Sequence, residues 1–229
     1  MPETDAAPGS DADRRRFEAR WPVALAVSAF IVLTLVLRAF VPRRETFGPH
    51  WLVPAAEIVL LVVIVAAHPA TATERARLRR LSIALTVLLA ASALLSTGIL
   101  VYELVTGSAV TSSADSLLAS GAIVWVGNAL IFGLLYWQLD SGGPVARHRA
   151  ERPFPDFAFT QQLNPELATP GWRPRYVDYL VLGFTTSTAF SPTDVMPMAA
   201  WAKLAMALQS LISLTVIGLV IARAVNVFS

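Results

Sequence analysis

The sequence predicts an all-α, polytopic transmembrane helical bundle with five or six membrane helices. Three observations carry that expectation. Five apolar runs are each long enough to cross a bilayer. The 229 residues are 55% hydrophobic and 15% charged, with a mean hydropathy of +0.58, whereas soluble domains hold about 45–50% apolar and about 25% charged residues. Arginine is also confined almost wholly to alternate loops.

A bilayer core about 30 Å thick takes about 20 helical residues at ~1.5 Å each. Residues 1–20 are polar and rich in Pro, Gly, Ser and Asp, which predicts a disordered N-terminus. The first apolar run, 22–41, has full span length and no small-residue cleavage site, so it reads as an uncleaved helix rather than a signal peptide. The second, 51–67, carries Pro54 in its first turn, where a missing N–H costs nothing. Runs 81–105 and 117–139 complete a four-helix region over 21–139. Residues 140–175 are polar and hold Pro144, Pro153, Pro155, Pro165, Pro170 and Pro174. That density forbids a long helix and predicts a proline-rich loop. A helix over 174–190 would be about 25 Å long, marginal for a span. It either crosses the membrane or re-enters as a half-helix, which is tolerated only when buried in protein or lining a wet cavity. The last run, 198–228, makes 176–229 a short helix, a turn and a C-terminal transmembrane helix. Trp21, Trp51, Trp137 and Trp201 lie near run ends, where interfacial aromatics belong.

The arginines orient the chain. Four precede the first run, four lie between the second and third, and five occupy 140–175, thirteen in all. The opposite loops hold only Arg43 and Arg44. The positive-inside rule therefore puts the N-terminus and the long loop in the cytoplasm. A composition rich in Ala, Val, Leu and Arg fits a bacterial source and a cytoplasmic (inner) membrane. A spanning 174–190 gives six helices and places Arg223 inside; a re-entrant one gives five and an outer C-terminus. The sequence favours the six-helix count.

Several chemistries are excluded. With no cysteine there are no disulfides, thiolate metal sites or cysteine nucleophiles. A formal net charge of +2 implies no nucleic-acid partner. His50, His68 and His148 have no metal-ligand spacing, and no Ser/His/Asp order, HExxH pair or glycine-rich phosphate loop occurs. No catalytic residue, metal or cofactor is therefore assigned, and the chain is not read as an enzyme. Asp156, Glu166 and Asp178 read as solvated loop carboxylates.

Polar groups inside a membrane are costly and are functional candidates. Arg38 and Glu57 lie near the same end of the first two helices and could form an intramembrane ion pair, for an ion or proton step or to lock the helices. Asn128 sits mid-membrane near Gly121, Gly127 and Gly133, where an amide can bond across a close helix contact. The most unusual run is Thr185, Thr186, Ser187, Thr188, Ser191 and Thr193, then Asp194 and Pro197. These hydroxyls can bond carbonyls one turn back or line a polar path. Gln209 and Ser213 are four apart and share a face of the last helix. The pore- or ligand-lining candidates are accordingly Thr185, Thr186, Thr188, Ser191, Asp194, Gln209 and Ser213. The competing reading makes them interhelical glue.

The stretch from Phe154-Pro155-Asp156-Phe157 through Trp172, Asp178-Tyr179-Leu180, Ala189 to Asp194, Gln209-Ser210-Leu211 and Ala222 to Asn226 resembles an uncharacterised family of bacterial multi-span membrane proteins. That likeness covers about the last third of the chain and implies no activity. Thr185, Thr186, Thr188, Asp194 and Pro197 are also similar, in order, to the pore module of potassium-type ion channels. There a pore helix ends in a Thr-rich strip, a filter follows, and an inner helix comes after Asp and Pro. Ser191 and Thr193 stand where that filter has glycine, and Pro192 where it has an aromatic. Those channels also dip their pore loop from outside, whereas the arginines place the loop before this segment inside. The resemblance implies a channel-like permeation element formed by a homo-oligomer in the lipid bilayer. The alternative is a structural or interaction protein without transport.

Overall fold

The computed structural model describes residues 21–40, 52–66, 72–106, 114–150, 152–189 and 194–228. The predicted N-terminal tail, Arg43, Arg44, His50, His68 and Ser191 lie outside the described residues, as does the side chain of Arg38. Eight α-helices are described: α1 (Trp21–Phe40), α2 (Leu52–Ala66), α3 (Ala72–Thr106), α4 (Ala114–Leu139), α5 (Pro144–His148), α6 (Thr160–Leu163), α7 (Tyr176–Ala189) and α8 (Ala200–Phe228). Two three-residue strands, β1 (Phe157–Phe159) and β2 (Val195–Pro197), complete the architecture.

Among the described residues, three helices are long and apolar enough to cross a bilayer: Ala76–Thr106, Asp115–Gly142 and Ala200–Val225, with mean hydropathies of 2.2, 1.9 and 2.2. The described apolar stretches of α1 and α2, Pro22–Leu37 and Pro54–Val63, are shorter. Helix α3 starts well before the apolar run at 81. Its first turns carry Glu74, Arg77, Arg79 and Arg80, good helix formers that extend it past the hydrophobic part.

Helix α4 is the axis of the bundle. Some 67% of its span is buried, against 33% for α3 and 28% for α8. It packs on α1, α3, α7 and α8, while α2 lies on α3 and α1. Lipid tails are as apolar as leucine, so such packing rests on close contact and on polar bonds. Helix α8 buries Ala202, Met206, Gln209, Ser213, Val216 and Val220. That alternation of four and three averages 3.5 residues, the seam of a left-handed helix pair. Its other face exposes Leu204, Leu208, Leu211, Leu214, Ile221 and Val225, as suits acyl tails.

The closest approach is between α4 and α7. A Cβ on Gly183 would fall 2.5 Å from the Ala129 carbonyl oxygen and 3.0 Å from the Gly133 nitrogen. One on Gly133 would fall 3.0 Å from the Tyr179 carbonyl oxygen. The two glycines thus let the backbones touch.

The strands settle where the chain goes after α7. β1 precedes that helix and β2 follows it, yet they pair antiparallel, Phe157 with Pro197, Ala158 with Met196 and Phe159 with Val195. Thr160 N donates to Asp194 O at 3.0 Å, and Met198 N to Asp156 O at 2.8 Å. Asp156 and Asp194 therefore stand at opposite ends of one short ribbon, and the chain returns from α7 to where it set out. Phe157, Phe159 and Val195 of the ribbon form a continuous core with Phe132, Tyr136, Tyr179, Leu182, Ala202 and Met206 of the helices.

Candidate functional site

The α7 hairpin is held by two polar layers. The first is its root. Asp140 follows directly on α4 and is almost wholly buried. Its Oδ1 accepts from Ser141 Oγ at 2.9 Å, Asp156 N at 3.0 Å and Phe157 N at 3.3 Å. Its Oδ2 accepts from the Tyr179 hydroxyl and lies 4.0 Å from Arg147 Nη1. That same nitrogen donates to the carbonyls of Trp137 at 2.7 Å and Asp140 at 2.9 Å, and the guanidinium stacks 4.9 Å from the Tyr179 ring centre. A buried carboxylate needs a full set of donors, and Asp140 draws them from the turn after α4, from α5, from β1 and the residue before it, and from α7. The turn that makes room is unusual. Ser141, Gly142 and Gly143 have φ of 54°, 83° and 97°, a left-handed stretch that glycine takes at no steric cost.

Asp156 belongs to this root. Its Oδ2 accepts from Ser141 N at 2.7 Å and lies 3.8 Å from Arg152. Asp178 is half-buried and accepts from Arg175 N at 2.6 Å; burial pushes its carboxyl above the usual range, against the pull of Arg175. These two are corrected from solvated loop carboxylates to structural ones, whereas Glu166 is exposed. Around the root, Phe157 sits edge-on to Trp201 at 5.5 Å, and Phe159 edge-on to Tyr179 at 5.1 Å.

The second layer lies deeper, on α8. Gln209 is fully buried. Its Oε1 accepts from Tyr136 Oη at 2.6 Å, and its Nε2 donates to Gly183 O at 2.7 Å and Ser187 Oγ at 2.8 Å. Ser210 Oγ donates to Thr186 O at 3.2 Å. One turn on, Asn128 Nδ2 donates to Ser213 Oγ at 2.9 Å. Gln209 and Ser213 do share a face, and both are spent on bonds inside the chain. The amide of Asn128 bridges α4 and α8, close to Gly127.

The remaining candidates divide. Thr185 bonds back to Val181 O and Leu182 O at 3.0 and 3.1 Å, and Thr188 to Phe184 O and Thr185 O, both at 3.2 Å. Thr188 is exposed and Thr185 half-buried; with the exposed Val177 and Val181 they line one outward stripe of α7. Thr186 is buried, with its hydroxyl oxygen unpartnered. Asp194 is exposed, and its carbonyl also takes the Thr160 hydroxyl at 2.8 Å. Elsewhere, Glu57 is fully buried in α2 and accepts from Ser92 Oγ of α3 at 2.7 Å.

Sequence reasoning missed Asp140, Arg147, Tyr136 and Tyr179. A signal was there: an acid at the end of a long apolar run, followed by Ser-Gly-Gly-Pro, is costly unless something reaches back to it.

No protein-family model matches this chain, and neither does any curated protein or solved structure. The class therefore rests on fold and sequence alone: a helical protein with, among the described residues, three helices of bilayer-crossing length and apolarity, as membrane proteins have.

Proposed function

We propose that this is a five-span membrane protein whose α7–β2 hairpin re-enters the bilayer and serves, in a homo-oligomer, as a channel-like permeation element. The observation that carries the reading is the β1–β2 pair. A strand before α7 cannot hydrogen-bond to a strand after it if α7 ends on the far side of a membrane. Helix α7 has 14 residues, about 21 Å, short of a hydrocarbon core. Half-helices and extended backbone at membrane depth need protein or water around them, and α4 and α8 supply protein on two sides. The outward stripe ending at Thr185 and Thr188 is left for a water-filled axis. One such stripe per chain encloses a path only when copies are arranged around a symmetry axis. Gln209 then holds the hairpin in register and Ser213 ties α8 to α4, while Thr185, Thr188 and Asp194 are the lining residues. By the arginine distribution the hairpin opens to the cytoplasm.

The test is ion flux from vesicles holding the purified protein. Flux is expected, falling several-fold in Asp194→Asn and in Thr185→Val/Thr188→Val. Equal flux from protein-free vesicles would sink the permeation reading. One observation favours the alternative of a structural membrane protein: Gln209, Ser213, Asn128 and Ser187 satisfy one another, as interhelical glue does.

A further inference from the structure

Arginines at the Gly142 end of α4 are held by backbone carbonyls. Arg79 of α3 donates to Gly142 O at 2.7 Å, and Arg173 donates to His148 O. Both acceptors are neutral carbonyls, and among the described residues neither guanidinium is paired with a carboxylate. Arg152 also borders this turn, 3.5 Å from where a Cβ on Gly142 would stand. Along the described stretches 72–80, 144–150 and 152–175, seven arginines and two carboxylates, Glu74 and Glu166, are exposed, and the half-buried Asp178 faces Arg175. Asp140 and Asp156 are already engaged at the root.

The place of this cluster matters as much as its charge. Gly142 closes one apolar span and Arg79 lies in the first turn of another, which begins at Ala76. Their contact brings together the ends of two candidate spans, and the end of a membrane helix is where lipid headgroups are met. We propose that Arg79 and Arg173, with the exposed charges of Arg77, Arg80 and Arg175 on the neighbouring segments adding to the local field, form a seat for the headgroup of an anionic phospholipid. Basic clusters between helix ends attract anionic headgroups, and arginine's forked donors match phosphate oxygens. Since Arg79 and Arg147 grip the same turn that presents Asp140, a lipid bound there would rest against the root of the α7 hairpin.

Native mass spectrometry of the full chain in non-ionic detergent tests this, with phosphatidylglycerol and phosphatidylcholine titrated separately. The wild type should retain phosphatidylglycerol in preference. Arg77→Gln/Arg80→Gln removes two exposed charges and should weaken that preference about 30-fold, from roughly fivefold per basic side chain at an anionic surface. An Arg173→Gln/Arg175→Gln chain should lose it comparably, so the result does not hang on one variant folding. Equal retention of both lipids by the wild type, or a preference unchanged in both variants, overturns the proposal. So does full displacement of phosphatidylglycerol by millimolar inorganic phosphate, which would make the seat one for a soluble anion.

Discussion

At the scale of single residues, Asp140 and Gln209 look alike, as buried polar groups with several partners each, yet their energetics differ. Asp140 is paired with the Arg147 guanidinium, and its donors come from four segments. Asp140→Ala strands the Tyr179 hydroxyl, two backbone N–H groups and the Arg147 guanidinium in a buried site. Breaking a buried ion pair from one side costs about 3–5 kcal/mol. Asp140→Ala should therefore lower the unfolding free energy in micelles by that amount, while Tyr179→Phe should cost about 1 kcal/mol. Comparable losses in the two variants would show that Asp140 is not the hub. Gln209 is neutral, and hydrogen bonds between membrane helices average ~0.6 kcal/mol each. Its three bonds are thus worth about 2 kcal/mol together, enough to fix register.

At the scale of elements, the α4–α7 contact is decided by sterics before polarity. Gly183→Ala puts a carbon 2.5 Å from the Ala129 carbonyl oxygen, a distance only backbone movement can relieve. Overpacking of this kind costs about 1–3 kcal/mol. The expected outcome is a destabilised protein in which Tyr136→Phe, which deletes a bond to Gln209, costs less than it does in the wild type, because α7 has already moved off. Gly98 has open space around it, and Gly98→Ala should be neutral by the same unfolding measurement. Additive losses for Gly183→Ala and Tyr136→Phe would mean that helix spacing and the Gln209 layer are independent. The elements themselves were legible in sequence to a degree set by the physics behind each. The expected run 117–139 became α4, Ala114–Leu139, and 198–228 became α8, Ala200–Phe228, because bilayer thickness imposes a length that composition reveals. The strands were not legible. Phe-Ala-Phe and Val-Met-Pro are too short to show an alternation, and their pairing spans the whole α7 excursion. Gln209 and Ser213 were legible as a face, since helical spacing fixes that. Whether the face met protein or water was not, because that depends on where Ser187 and Asn128 arrive from other helices.

At the scale of the whole molecule, the ribbon is what supports the proposed five crossings over six. The arginine count assigns sides to loops but is indifferent to whether 176–190 passes through or turns back, since both arrangements keep thirteen arginines on one face. The strand pair is not indifferent: it ties Asp156 and Asp194 within one ribbon. The absence of cysteine from the sequence makes this testable without removing native thiols. Phe154, strongly exposed before β1, and Asp194, exposed before β2, can each become the sole cysteine, with Ser229→Cys as a third reporter. In sealed vesicles an impermeant maleimide should label positions 154 and 194 from the same side and position 229 from the other, because α8 crosses once between 194 and 229. Labelling of 154 and 194 from opposite sides would require the ribbon to be broken in the membrane and would return α7 to a full crossing. Labelling of all three from one side would instead deny α8 its crossing, leaving the hairpin intact and the five-span count wrong.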